Sequence, residues 1–285
     1  MVKTLSYTMR FRSVLTLLSC LMFLSGCQPS ERTTKKESKN IAPAKQQNEQ
    51  TYDIAVDQAS ILKDFITWYT YDYKNINLTQ NFIGLDADSI EIDKALFLTK
   101  LKTGNYIPFK IKIVNNIPVY QLSKNNNIGN DVRNTIKQKA EIESFHFQME
   151  GKEFPDFNFT DLQNRTYNSS NTKDKVVLLK CWFINCVACV NEFPELNALV
   201  DKYPDRKDIL FISLAIDNKS ELKAFLKKKE FKYAVIPDQE NFMRNKLNVQ
   251  MYPTHILINK KGEIVKETND INDILPFFEE EILKL

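Results

Sequence analysis

The sequence predicts an α/β protein whose C-terminal part is a mixed sheet flanked by helices, preceded by a smaller α+β unit. Three observations lead there. Strand-like apolar runs alternate with helical periodicity after Glu150, a strand pair sits among helical patterns between Tyr52 and Glu150, and the segment from Gln28 to Gln50 holds almost nothing apolar. The 285 residues are 43% hydrophobic and 11% aromatic, which suffices for one large or two ordinary cores without a disulfide framework. The 39 basic and 36 acidic side chains are mixed along the chain, so the clustered positive charge of a nucleic-acid binder is missing and no such partner is expected.

Lys3, Arg10 and Arg12 precede the apolar stretch Val14 to Leu24, a charged head and short hydrophobic segment that read as a secretory signal over residues 1–26. The stretch is too short to span a bilayer. Leu24-Ser25-Gly26-Cys27 resembles the bacterial lipobox, which implies a lipid-modified Cys27, a cell-envelope location outside the cytoplasm and attachment to a membrane. Buried acyl chains contribute about 0.8 kcal/mol per CH₂, and several make the attachment durable. Cys20, inside the signal, would be removed. Residues 27–50 are, after Cys27, mostly Ser, Thr, Lys, Glu, Gln and Asn with two prolines and almost nothing apolar. Such a segment cannot offset its ordering entropy and reads as a flexible tether reaching about 25–30 Å.

Residues 51–148 read as the small α+β domain. Ile61, Leu62, Phe65, Ile66 and Tyr69 recur at helical spacing, Ala95 to Leu101 suggests a second helix, Tyr106 to Val114 pairs with Pro118 to Leu122, and Asp131 to Phe145 gives another helix. The aromatic run Phe65 to Tyr73 is read as core packing. In residues 149–285, Lys175 to Cys181 is a strand leading into a helix. Ile209 to Ile216 is a strand followed by the helix Ser220 to Lys229, and Tyr233 to Ile236 is a short strand. A helix at Asn241 to Leu247 precedes two strands, His255 to Ile258 and Glu263 to Glu267. They flank the hairpin signal Asn259-Lys260-Lys261-Gly262, and the end from Asp270 is helical.

Cys186-Val187-Ala188-Cys189 stands where the buried strand gives way to a helix, a context that turns a bare CxxC into a redox candidate. A cysteine capping a helix has unpaired N–H groups and the helix dipole to favour its thiolate, so Cys186 is the attacking sulfur and Cys189, one turn in, resolves. A zinc site lacks ligands, because Cys181 lies on the strand and the two histidines are His146 and His255; no metal is expected.

The run Val176 to Pro194, with Trp182 four before Cys186 and Pro194 five after Cys189, resembles the active-site strand and helix of the thioredoxin fold, in particular the membrane-anchored TlpA/ResA group. Met251-Tyr252-Pro253-Thr254, the strand after it and Lys261-Gly262-Glu263-Ile264 resemble that group's cis-proline loop and terminal hairpin. The resemblance covers residues 150–285. It implies a thioredoxin-like domain and a thiol-disulfide oxidoreductase with no cofactor beyond a redox-active Cys186–Cys189 disulfide. It also implies client proteins and an upstream thiol-disulfide electron donor as partners. The Tyr252-Pro253 bond is expected to be cis, and Tyr252, Pro253 and Trp182 are expected at the substrate-binding surface.

Glu192 completes the pattern CxxCxxE, in which the resemblance gives this carboxylate a role in modulating the thiols. Partly buried, with its pKa raised, it would accept and return the Cys189 proton. Lys180 departs from the group, where an acidic residue or Asn stands six before the first cysteine; the expectation is a stem along the strand with its ammonium in water. Asn185 and Phe183-Ile184 also differ from the group. Cys181 is expected to pack as a small hydrophobe, outside the chemistry, and His255 is not counted as catalytic. Val187 and Ala188 offer no side-chain donors to Cys186, which points to a moderate or reducing couple. The alternative is a copper-handling protein holding Cu(I) on the two cysteines, with His255 assisting.

Overall fold

The computed structural model describes residues 51–125 and 128–285. The expected signal segment, Cys27 and the tether lie outside the described residues. Among the described residues no helix is long and apolar enough to cross a membrane.

The first part of the described chain contains β1 (Thr51–Asp53), α1 (Gln58–Ile61), α2 (Phe65–Asn75), β2 (Ile83–Leu85), β3 (Glu91–Ile92), α3 (Lys94–Lys102), β4 (Tyr106–Val114), β5 (Ile117–Lys124) and α4 (Asn130–Met149). Its sheet has the order β1-β4-β5-β2-β3. The β4–β5 hairpin turns on Asn115 and Asn116, both at positive φ (49° and 65°), the geometry of a tight hairpin turn that asparagine tolerates. The helical spacing from Ile61 to Tyr69 does not give one helix. The Asp64 carboxylate accepts from the Thr67 N–H at 2.7 Å and starts α2 afresh. Trp68 enters a core with Phe97, Leu101 and Phe109, and Phe65 and Tyr71 pack against it. Ile66, Tyr69 and Tyr73 of the same run are exposed, so only part of that run packs.

The second part runs β6 (Asn158–Thr160), β7 (Thr166–Asn168), β8 (Val176–Trp182), α5 (Val187–Asn191), α6 (Phe193–Asp201), β9 (Ile209–Ala215), α7 (Lys219–Leu226), β10 (Ala234–Ile236), α8 (Glu240–Asn245), β11 (Thr254–Ile258), β12 (Ile264–Thr268) and α9 (Ile271–Leu283). The sheet order is β10-β9-β8-β11-β12, with β10, β9 and β8 parallel and β11 and β12 antiparallel to their neighbours. All seven residues of β8 are buried. Val177, Leu179 and Cys181 join Ile212 and Ile256 on one face, whereas Val176 and Leu178 meet Leu196, Ile274 and Phe278 on the other, the two-residue period of a strand covered on both sides. The helix after Cys186 breaks at Glu192. Pro194 has no N–H to offer Val190, whose carbonyl accepts from Glu192 instead, so α5 closes and α6 begins on the same residue.

Residues 51–148 and 149–285 pack within one compact unit. The Gly151 N–H donates to the Ile264 carbonyl at 2.8 Å, Lys266 Nζ to Glu150 Oε1 at 2.6 Å, and Asn77 Nδ2 to Asp273 Oδ1 at 2.5 Å. At the same junction His146 Nε2 stands 3.6 Å from Glu267 Oε1, both side chains buried. Burial, assisted by the Lys266 charge, lowers His146 to about 4, and burial raises Glu267 to about 8. Near neutrality neither is charged, and the contact is not an ion pair.

This sets a pH dependence of stability. Between pH 4.5 and about 8 the unfolded chain releases the Glu267 proton while the folded chain keeps it. Stability therefore falls as pH rises through that window, by up to about 1.4 kcal/mol per unit. His146 acts oppositely below its ordinary value of 6.5, where the unfolded chain gains a proton first and acid is destabilising. Glu267→Gln removes the first slope only. Urea unfolding should find the variant more stable than the parent by roughly 1–4 kcal/mol at pH 8 and little changed at pH 4.5.

Candidate active site

Cys186 and Cys189 are joined in a disulfide with Cα atoms 5.2 Å apart. Cys186 is the N-cap of α5, and its Sγ accepts from the Cys189 N–H at 3.2 Å. The two sulfurs are not equivalent: Cys186 is 7% exposed and Cys189 0%. An incoming sulfur therefore meets Cys186. The loop joining β8 to the pair is pinned by the Ile184 N–H, which donates to Asp217 Oδ2 at 2.8 Å. Val187, next to the outer sulfur, is 72% exposed.

The Tyr252-Pro253 bond is cis. Asn269 Nδ2 donates to the Pro253 carbonyl at 2.7 Å and Thr254 Oγ1 to the Met251 carbonyl at 2.6 Å, which ties the loop to both sides of the proline. The Tyr252 ring packs edge-on against Phe183, with centroids 5.4 Å apart, and joins the apolar cluster that holds Cys186 and Cys189. Among the described residues the Tyr252 backbone makes no hydrogen bond, leaving its N–H and C=O for an extended chain laid beside it.

Trp182 corrects an expectation. It is fully buried, edge-on to Phe193 and Phe231, and cannot touch a substrate. Two-residue alternation along β8 puts it on the inward face with Leu178 and Lys180. Its role is to support α6 from below.

Lys180 also departs from expectation, because its ammonium is inside the protein. Nζ donates to Glu192 Oε2, and His255 Nε2 lies 3.1 Å from the same oxygen. The Lys180 and His255 side chains are 0% exposed and that of Glu192 17%. Burial pushes the Glu192 carboxyl up, but the His255 hydrogen bond, with the Lys180 charge added, outweighs it and holds the group below the usual carboxylate range. The expected raised carboxyl is thus overturned. Burial lowers Lys180, and Glu192 pulls it partly back; burial lowers His255, against the Glu192 hydrogen bond. His255, which the copper alternative would recruit, has Nε2 committed to Glu192. In the sequence the three residues lie on separate elements, with no local pattern that joins them. The readable signals were a lone lysine in an apolar strand and a histidine two residues after Pro253.

Cys181 is a free, buried thiol on the opposite face of β8, among Ile212, Leu214 and Ile256. Burial first, and the Glu267 charge second, push it well above the ordinary thiol range, so it stays protonated and unreactive.

The Redoxin family profile matches residues 149–279. Over 134 residues the chain is 33% identical to the thiol-disulfide oxidoreductase ResA of Bacillus thuringiensis subsp. konkukian, a match covering 47% of this chain and 72% of that protein. This chain belongs to the ResA family of thiol-disulfide oxidoreductases. The chain is also 28% identical over 117 residues to the thioredoxin-like protein YneN of Bacillus subtilis, covering 40% of this chain and 68% of that one. The thioredoxin domain of a thiol-disulfide oxidoreductase from Bacteroides vulgatus superposes with a TM-score of 0.42 at 21% identity, over 46% of this chain and 96% of that chain. As a ResA-type protein it is an enzyme of thioredoxin fold, and the bonded Cys186–Cys189 pair is the group such chemistry needs.

Because Cys181 is unreactive and faces away, Cys181→Ala should leave disulfide-reductase turnover unchanged in an insulin assay. Denaturant unfolding should show a loss of about 1–2 kcal/mol from the small cavity. Loss of turnover in the folded variant would make Cys181 a third working sulfur.

Proposed function

We propose that this oxidoreductase is a lipid-anchored, extracytoplasmic reductant of disulfides in client proteins. The observation that carries the client-protein reading is the surface at Cys186, which is nearly covered but has exposed neighbours. It joins one accessible sulfur, the unpaired Tyr252 backbone beside the cis Pro253, and the exposed apolar side chains Val187 and Met251. A polypeptide can supply a cystine to the first, main-chain hydrogen bonds to the second and side chains to the third.

In the reducing direction the Cys186 thiolate attacks one client sulfur, the client S–S bond breaks, and the other client sulfur leaves as a thiolate. Cys189 then loses its proton and attacks Cys186 Sγ. The mixed disulfide breaks, the second client sulfur leaves, and both client thiolates take up protons. Two electrons pass from the cysteine pair to the client, and an external dithiol of the upstream donor restores the pair.

Weak thiolate stabilisation supports this direction. The Cys189 N–H is the donor to Cys186 Sγ, Val187 and Ala188 bring no polar side chain, and the Lys180 charge is spent on Glu192. A helix terminus contributes roughly 0.3–2 kcal/mol, short of what a strongly oxidising thiolate needs. Anchoring and location rest on the Leu24-Ser25-Gly26-Cys27 resemblance and the charged, apolar segment before it.

Cys189→Ala should trap Cys186 in a mixed disulfide with its client, visible as a thiol-reversible adduct on non-reducing gels and absent in Cys186→Ser. Equilibration with a dithiol buffer should place the pair nearer thioredoxin's about −270 mV than the strong oxidants' about −120 mV. A value at the latter end would reverse the direction. Cys27→Ala should release the protein from membranes; a variant that stays membrane-bound would end the anchoring proposal alone.

A further inference from the structure

β8 and β11 are both buried from end to end, and each carries one basic side chain, Lys180 and His255. They are register partners across the antiparallel pair, so both side chains leave the sheet on the same face, side by side. Glu192 reaches that point from the break between α5 and α6, three residues beyond Cys189 and so one helical turn from it. The arrangement is asymmetric. Oε2 receives Lys180 Nζ and faces His255 Nε2 at 3.1 Å, while Oε1 has no hydrogen-bond partner among the described residues.

A carboxylate oxygen only accepts, so the ring nitrogen facing it carries the proton, and His255 donates from Nε2. Its Nδ1 is then a bare acceptor, in keeping with that atom being buried without a partner. The other ionisable groups acting on the cluster are Asp270, at the start of α9, on His255; Tyr233, before β10, which Glu192 influences; and Cys181, behind the sheet, on Lys180. None of these is placed on Oε1.

We infer that Lys180 and His255 are positioning residues for the resolving half-reaction: they saturate Oε2 of Glu192, so that Oε1 is the oxygen that exchanges a proton with Cys189. The inference rests on the thiol-disulfide exchange described above. In the mixed disulfide the Cys189 S–H proton moves to Oε1, and the Cys189 sulfur bonds to Cys186 Sγ. The Cys186–client bond breaks, and the client leaves as a thiolate that is protonated by solvent. Glu192 returns its proton when the external dithiol reduces the pair. Lys180 then has no part in the first step, because its charge is balanced by Glu192 and not directed at Cys186.

Ellman's reagent separates the two steps, because reduced protein releases one thionitrobenzoate when Cys186 attacks and a second when Cys189 resolves. Rapid mixing across pH should show Lys180→Met moving the acid limb of the second release up by about one unit, so that this release slows by up to about tenfold at pH values below the limb and little at pH 7, with the first release within about twofold of the parent throughout. His255→Leu should move the limb the same way, and His255→Gln, which keeps a donor near Nε2, should restore it. Should Lys180→Met fold poorly, Lys180→Met/Glu192→Gln removes both charges, and its second release should match Glu192→Gln alone. An unmoved acid limb, equal slowing of both releases, or a further loss in the double variant would overturn the positioning role. A parent protein that gives neither release would instead overturn the exchange reading.

Discussion

Seven consecutive buried residues, Val176–Trp182, fix the end of β8 in the middle of a five-stranded sheet, and the position of both sulfurs follows from that anchorage. The chain leaves the sheet after Trp182, is held at Ile184 by Asp217, and turns into a helix at Cys186. Because the strand cannot shift without exposing its apolar sides, Cys186 stays at the surface with Cys189 beneath it. A division of labour between an attacking and a resolving sulfur is thus a consequence of burial before any thiol chemistry is considered.

The same strand carries Lys180, which costs free energy to bury and is tolerable only with a partner. Glu192 is that partner, and the helix break that delivers it comes from Pro194. Removing one member of such a pair leaves an uncompensated charge, at a cost of about 3–5 kcal/mol, so these positions are coupled energetically as well as chemically. His146 and Glu267, at the junction with the upstream part, follow the other route, and near neutrality both remain uncharged. The protein thus holds buried ionisable groups in two ways, as a paired cluster near the sulfurs and as a neutral contact away from them.

Local patterns carried most of what was legible in the sequence. The apolar run of β8, the CxxC at its end, the proline opening β11 and the β4–β5 hairpin each lie within a few neighbouring residues, and each stands in the structure. β2, β3, β6 and β7 have two or three residues each, too few for alternation to register. Asp64 and Pro194 were signals in plain view, a helix cap and a helix breaker, but apolar periodicity ran across them. The Lys180, Glu192 and His255 cluster was hidden for another reason. It depends on which residues of β8 and β11 stand opposite each other, and register between distant strands has no local signature. The resemblance put Trp182 at the substrate-binding surface, whereas strand alternation turns it inward.

One sulfur works near the surface and the other stays beneath it. Timed alkylation of the reduced, folded protein with iodoacetamide, followed by peptide mass mapping, tests it most directly. Cys186 should label rapidly, with Cys189 and Cys181 protected until the protein is unfolded. Labelling of Cys189 as fast as Cys186, or faster, would contradict it.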